Sequence, residues 1–323
     1  MQDVSPKKVS IHCLVYNHAP YLRDCLEGFV KQQTNFAFEA IVHDDASTDG
    51  SGDIIREYAE RYPHIIKPIL QKKNLYQSPE RYLISKSIAA ISTGEYKAIC
   101  EGDDYWTDPT KLQKQVDFLE ANPDYSMVCT DADVLTPQGT QHWHRYSKSC
   151  EVPLKDIVMK GGAWIHTASI LYRATAISPY PIFCKKCHVG DYPLQILLAI
   201  RGKVHFIAER MVVYRYMSIG SWSSTTKITD ETYFQHWLSE INMLKGFNEL
   251  TEYRNNEIFS ARMAKYAIVL LRHVPTRKKD VLAVLPQFPR YLKFSDRLKW
   301  WRILTGLNGI KRKLQAFFKR NKA

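Results

Sequence analysis

The sequence predicts an α/β protein, a doubly wound and mostly parallel sheet that leads into a mixed half and a helical, basic C-terminal appendage. Three observations carry this. Short apolar runs alternate with segments of helical period through the first third of the chain. Two acidic clusters, Asp44-Asp45 and Glu101-Gly102-Asp103-Asp104, each close such a run and each precede a helix-like segment. Basic residues gather at the C-terminal end. In an open α/β sheet, ligands bind beyond the carboxyl ends of the strands, so both clusters are expected at one crevice.

The elements follow in order. Val9 to Val15 is a compact apolar strand ending at Tyr16-Asn17-His18, and a helix from about Pro20 to Gln33 sets Leu22, Leu26, Phe29 and Val30 on one face. Phe38 to Val42 is the second strand, Asp49 to Tyr62 a helix with Ile54, Ile55 and Tyr58 inward, and Ile65 to Leu70 the third strand. A helix from Pro79 to Ser92 leads to the strand Tyr96 to Cys100. Asp108-Pro109 then signals a further helix start, with Asp108 as its cap and Leu112, Val116 and Leu119 as its apolar stripe. Tyr125 to Thr130 completes this βαβα pattern, which gives a nucleotide-binding half over about residues 7–135.

After Pro137-Gln138-Gly139 the pattern breaks into short strands, at Ala168 to Tyr172, Val204 to Ile207 and Val212 to Tyr216, with one helix from about Tyr192 to Arg201. This half, residues 136–229, suits acceptor recognition, because binding groups concentrate on loops held by a rigid scaffold. Residues 1–229 thus form one expected domain. Residues 230–323 read as helical, through Trp237, Ile241 and Leu244 and then Ile258 to Leu271.

At 323 residues and 45% apolar content the chain has ample core for a large domain with an appendage. Of the net charge of +12, residues 272–323 hold +13, from 15 Lys and Arg against Asp280 and Asp296, which leaves −1 on residues 1–271. A near-neutral body argues against a nucleic-acid surface there, and no nucleic-acid partner is expected. Met1 to Lys8 holds no apolar signal core, and no segment reaches the ~18 apolar residues of a membrane span. The expected location is therefore cytoplasmic. Seven cysteines scattered in apolar runs are expected as reduced, mostly buried thiols, and Cys184-Lys185-Lys186-Cys187-His188 as an unligated loop, since no second Cys pair completes a zinc site and haem attachment needs an oxidising compartment.

Carboxylates beyond strand ends could hold a divalent cation and hydrogen-bond a base or ribose. With Asn17, Asp44-Asp45, Glu101 to Asp104 and the strand–helix order in place, the chain resembles the family 2 glycosyltransferases of GT-A fold over about residues 8–225. Val42 to Ser51 is similar to that family's second-strand signature, and Glu101 to Trp106 to its DxD region, with Glu101 where the family usually has Asp. The resemblance implies that Leu14, Tyr16, Asn17, Asp44 and Asp45 line the base and ribose pocket. It also implies that Asp103 and Asp104 hold Mg²⁺ or Mn²⁺ and the donor diphosphate.

Asp191, in His188-Val189-Gly190-Asp191-Tyr192-Pro193, matches the family's second acidic motif and is the expected catalytic base; capping of the helix from Tyr192 is the plainer alternative. Trp164 to Ser169 resembles the floor of the acceptor side, which makes His166 either a functional group or a packed ring. Tyr214-Arg215-Tyr216 and Gly220-Ser221-Trp222-Ser223 resemble a late loop that closes on the diphosphate, with Arg215 as a phosphate donor and Trp222 as a sugar platform or a loop anchor.

Within residues 295–323, Trp300, Trp301, Ile303, Leu304, Leu307, Ile310, Leu314, Phe317 and Phe318 recur near helical spacing among Lys and Arg. The segment reads as a basic amphipathic helix for an anionic membrane surface, at the inner face of the cell membrane; a helix packed on the body with a solvated basic face is the alternative. The expected function is inverting, metal-dependent transfer of a sugar from a nucleotide sugar, UDP-linked by preference, to a glycan or lipid-linked acceptor in surface polysaccharide assembly. A nucleotide-binding protein without turnover, or a membrane adaptor built on the tail, is the alternative.

Overall fold

The computed structural model describes residues 7–76, 78–143, 145–187, 189–216, 229–274, 277 and 279–281. By contacts the chain separates into two units. The first spans residues 1–181 and 191–226; the second spans residues 182–190 and 227–323.

The first unit is built on a ten-stranded sheet with the main order β3-β2-β1-β4-β9-β6-β10-β5. Its N-terminal half is parallel throughout: β1 (Val9–Val15) lies between β2 (Phe38–Asp44) and β4 (Tyr96–Ile99), and β3 (Ile66–Leu70) forms the edge beside β2. The intervening helices are α1 (Ala19–Val30), α2 (Ser51–Arg61) and α3 (Tyr82–Ile91), with α4 (Lys111–Ala121) further on. Every residue of β2 is buried, as expected of a parallel strand covered on both faces. Strand alternation divides the core accordingly. Ile11, Cys13, Ala40 and Val42 pack with Leu22, Phe29, Ile55 and Val116 on one face, while Ile41 packs with Leu75, Ile84 and Ile88 on the other. Helices thus cover both faces, which is the doubly wound arrangement.

The second half of the sheet is mixed, and here the structure corrects the element boundaries. The segment expected as a strand from Ala168 is a 3₁₀ turn, Thr167–Ser169, followed by β9 (Leu171–Arg173), which runs antiparallel to β4 and to β6 (Tyr125–Thr136). The two strands expected at 204–207 and 212–216 are one strand, β10 (Lys203–Arg215), parallel to β6 and irregular between Ile207 and Val212. Exposed Glu209 and Arg210 sit at that irregularity and interrupt the apolar run. The short strands β5 (Tyr105–Trp106), β7 (Gly139–His142) and β8 (Cys150–Glu151) and helix α5 (Leu154–Lys160) are too brief to show a period. Helix α6 (Asp191–Arg201) leads into β10.

Asp108 is not the cap of α4. Its carboxylate accepts the Thr110 N–H and hydroxyl, at 2.7 and 2.6 Å, one turn ahead of the helix. That turn delivers Lys111 to the core, where it is fully buried, bonded to Gln115 Oε1 at 2.9 Å and held 4.0 Å over the Trp106 ring.

Among the described residues, the second unit holds a helical hairpin. α7 (Asp230–Leu250) starts at a capping box of Thr229 and Thr232, and α8 (Asn256–His273) returns along it with Phe247 stacked 6.4 Å from Phe259. Cys184 and Cys187 are buried in this unit, and among the described residues no cluster of His, Cys, Asp or Glu is arranged as a metal site. Among the described residues no helix is long and apolar enough to cross a membrane. The basic segment 295–323 lies outside the described residues.

Burial lowers the Lys111 amine from 10.5 to about 7. Between those two values the unfolded chain holds a proton that the folded chain has released, so this group adds stability as pH rises and imposes its full penalty below 7. Lys111→Met removes a slope of up to about 1.4 kcal/mol per pH unit. Urea unfolding of both proteins at pH 7 and 9.5 measures it: the advantage of the variant is expected at pH 7 and shrinks at pH 9.5.

Candidate active site

Both acidic turns hang from the carboxyl end of β1. The Val15 carbonyl accepts the Asp45 N–H, and the Leu14 carbonyl accepts the Gly102 N–H, each at 2.9 Å. The Leu14 and Tyr16 side chains stand at the rim, 38% and 40% exposed.

In the first turn most polar groups are committed to the protein. Asp45 is buried, and its two oxygens accept the backbone N–H groups of Leu75 and Tyr76 at 2.8 and 2.9 Å, which fixes the loop after β3. Asp44, equally buried, accepts the Ser47 hydroxyl. Asn17 sits at φ 55°, in the left-handed region that Asn tolerates better than most residues; its N–H donates to Ser47 Oγ at 2.8 Å and its Oδ1 accepts the Thr48 N–H at 2.9 Å. Asp49 joins two helix starts, accepting Ala19 N–H at 2.8 Å and the Ser51 N–H and hydroxyl at 3.0 and 2.6 Å. The sequence reading did not single out Asp49, whose signal was its place one residue before a Gly-Ser helix start.

The second turn carries less internal compensation. Asp104 is 1% exposed, and its Oδ1 accepts the Arg215 N–H at 2.9 Å from the end of β10. The Arg215 guanidinium donates to the Asp103 carbonyl at 2.7 Å, pairs with Asp24, and lies 4.4 Å from the Tyr105 ring. Arg215 therefore already braces this turn, and donation to a phosphate would share or displace the Asp24 pair. Gly102 is required by close approach: a Cβ there would stand 2.9 Å from both His18 Nδ1 and Val15 Cγ2.

Electrostatics join Asp191 to this turn. Burial, then the charges of Asp103 and Asp191, push the Glu101 carboxyl up to about 8. Burial, then Asp103 and Glu101, raise Asp104 well above the usual carboxylate range. Asp191, the first residue of α6, is raised by burial, against the Tyr192 N–H and its own, and its charge reaches Glu101 in the acidic turn. Tyr214 faces the same charges; burial and then Asp104, Glu101 and Asp103 raise its hydroxyl.

His166 is a packed ring behind Tyr214, stacked at 4.7 Å and 25°. Its Nε2 lies 2.8 Å from the Arg145 guanidinium, which can only donate. Burial and that cation hold its pKa at about 3, so it is neutral near pH 7. Arg145 itself went unnoticed in the sequence, where it looks like one more surface cation. Trp222 and the Gly220 to Ser223 segment lie outside the described residues.

Residues 10–177 match the profile described as Glycosyl transferase family 2. The chain belongs to this family. An uncharacterized protein of Mycobacterium tuberculosis is 35% identical over 305 residues, which cover 91% of this chain and 85% of that protein. Among solved structures, S. aureus TarS 1-349 in complex with UDP-GlcNAc is similar at a TM-score of 0.54 and 16% identity, over 85% of this chain and 83% of that one. Mannosyltransferase PcManGT from Pyrobaculum calidifontis, in complex with GDP-Man and Mn²⁺, is similar at 0.54 and 16%, over 88% and 77%. The shared architecture is the GT-A fold, and this family 2 member carries its acidic turns at the carboxyl ends of β2 and β4.

Asp45→Ala removes both acceptors from the Leu75 and Tyr76 amides. It is expected to cost about 1–3 kcal/mol of stability, read as a lower urea midpoint with an unchanged m-value.

Proposed function

We propose that this glycosyltransferase moves a sugar from a UDP-linked donor, with inversion, to a glycan or lipid-linked acceptor in surface polysaccharide assembly. The observation that carries this is the electrostatic convergence of Asp191 with the Glu101 to Asp104 turn. In this reading Leu14 and Tyr16 line the base, Asn17, Asp44 and Asp45 shape the ribose side, and Arg215 supports the diphosphate. Asp103 and Asp104 hold Mg²⁺ or Mn²⁺. The chemistry of the donor set fits a hard divalent cation: burial and then neighbouring carboxylates raise the proton affinity of Glu101 and Asp104, and such a cation relieves the repulsion between them. Two carboxylates with oxygens from the nucleotide are an ordinary Mg²⁺-type ligand set.

When bound, the cation would neutralise charge on the leaving diphosphate. The chain does the rest. Asp191, in its ionised form, accepts the proton of the acceptor hydroxyl while that oxygen bonds to the anomeric carbon and the carbon–phosphate-oxygen bond breaks on the opposite face. A single displacement needs one base and no covalent nucleophile. Burial keeps the Asp191 carboxylate basic enough for this task. The basic segment 295–323 would add attachment to an anionic membrane surface.

Two measurements test the reading. Thermal shift against UDP, GDP, CDP and TDP, each with and without Mn²⁺, should give a metal-dependent rise with UDP that Asp103→Ala abolishes; ligand at ~100 Kd adds about 2.7 kcal/mol. Asp191→Asn should lower transfer about 10²–10⁴-fold with nucleotide binding intact. The wild-type acid limb should lie at higher pH than an ordinary carboxylate would set, because the base is lost as pH falls through its raised pKa. A variant as active as wild type would remove Asp191 from the mechanism.

A further inference from the structure

His18 precedes α1 and is 9% exposed, and its Nδ1 is buried without a hydrogen-bond partner. Buried polar atoms of this kind nearly always have one. The backbone that carries the ring is pinned on both sides. The His18 N–H donates to Ser51 Oγ at 3.0 Å, and its carbonyl accepts the Tyr21 and Leu22 N–H groups, both at 2.9 Å. Gly102, by lacking a Cβ, lets Nδ1 lie directly against the second acidic turn.

Three carboxylates send charge to this ring: Asp103, Asp49 and Asp44. Asp49 is bonded to Ala19 and Ser51, and Asp44 to Ser47. Asp103 Oδ1 stands 4.0 Å from Nδ1, with both side chains mostly buried. That gap is roughly 1 Å beyond a normal N–H···O distance, so the two groups face each other within reach of a hydrogen bond.

We propose that His18 is a positioning residue for Asp103: its Nδ1–H donates to the Asp103 carboxylate and fixes the face that receives the metal and diphosphate. The inference rests on the role given to Asp103 above. Hydrogen bonds behind a ligating carboxylate set its orientation, and their loss weakens metal affinity about 10–100-fold.

The test compares His18→Asn with His18→Leu in the full chain. The two are nearly isosteric, leave the same space where the ring was, and differ in the amide donor that Asn keeps near the Nδ1 position. Mn²⁺ is titrated by calorimetry into each protein with saturating UDP, and Tm is recorded in EDTA. His18→Leu should weaken Mn²⁺ binding about 10–100-fold while His18→Asn stays within a few-fold of wild type, with matching Tm values in EDTA. Equal Mn²⁺ affinity in the two variants, whether at the wild-type level or weakened together, would overturn the inference and leave His18 a packing residue. If wild type binds no Mn²⁺ with UDP, the reading of Asp103 fails and this inference falls with it.

Discussion

Two adjacent carbonyls of β1 set the geometry of the whole site. Leu14 and Val15 point theirs to opposite sides of the strand, as successive strand residues must, and each receives one acidic turn. The distance between the two turns is therefore fixed by strand spacing, not by the loops. The local backbone yields to this demand. Asn17 and Ala46 both take positive φ, a conformation that costs energy for residues other than glycine and persists only where surroundings impose it. Gly102 answers the same demand by size, since no side chain fits between His18 and Val15.

The two acidic turns look alike in sequence and differ in what the fold does with them. Asp45 and Asp49 each accept N–H groups from segments distant in the chain, so their charge is absorbed by the scaffold. Around Glu101 and Asp104 the compensation is thinner, an Arg215 N–H at Asp104 and a guanidinium occupied with Asp24 and a carbonyl. Burying carboxylates beside one another raises their proton affinity, and both groups show it.

The parallel half was legible because its strands are continuous apolar runs and its helices keep a clean 3.6-residue period, as in Ile54, Ile55 and Tyr58 of α2. The mixed half was not, since β9 has three residues and β10 changes register at an exposed Glu209 and Arg210, which broke one strand into two apparent ones. Among candidate residues, motif spacing found the carboxylates but not their division of labour. Whether an Asp faces a ligand or a backbone amide thirty residues away, as Asp45 does with Leu75, is decided by tertiary contact. The same holds for His166, whose neutrality rests on burial and then on Arg145, twenty-one residues distant and unremarkable in its own context.

Arg215 shows why such contacts matter to mechanism. It belongs to the end of β10, a strand from the irregular half, yet it supplies the N–H to Asp104 and a guanidinium N–H to the carbonyl of Asp103. The end of β10 is thereby coupled to the acidic turn, and Tyr214, one position earlier, brings its hydroxyl into the field of the same carboxylates. Tyr214 is in turn backed by the neutral His166 ring. A protonated histidine there would place a second cation against Arg145, so burial and the guanidinium together keep the ring neutral and the stack intact. The end of β10 is thus fastened to the acidic turn through Arg215, and the His166–Tyr214 stack supports the same stretch of strand.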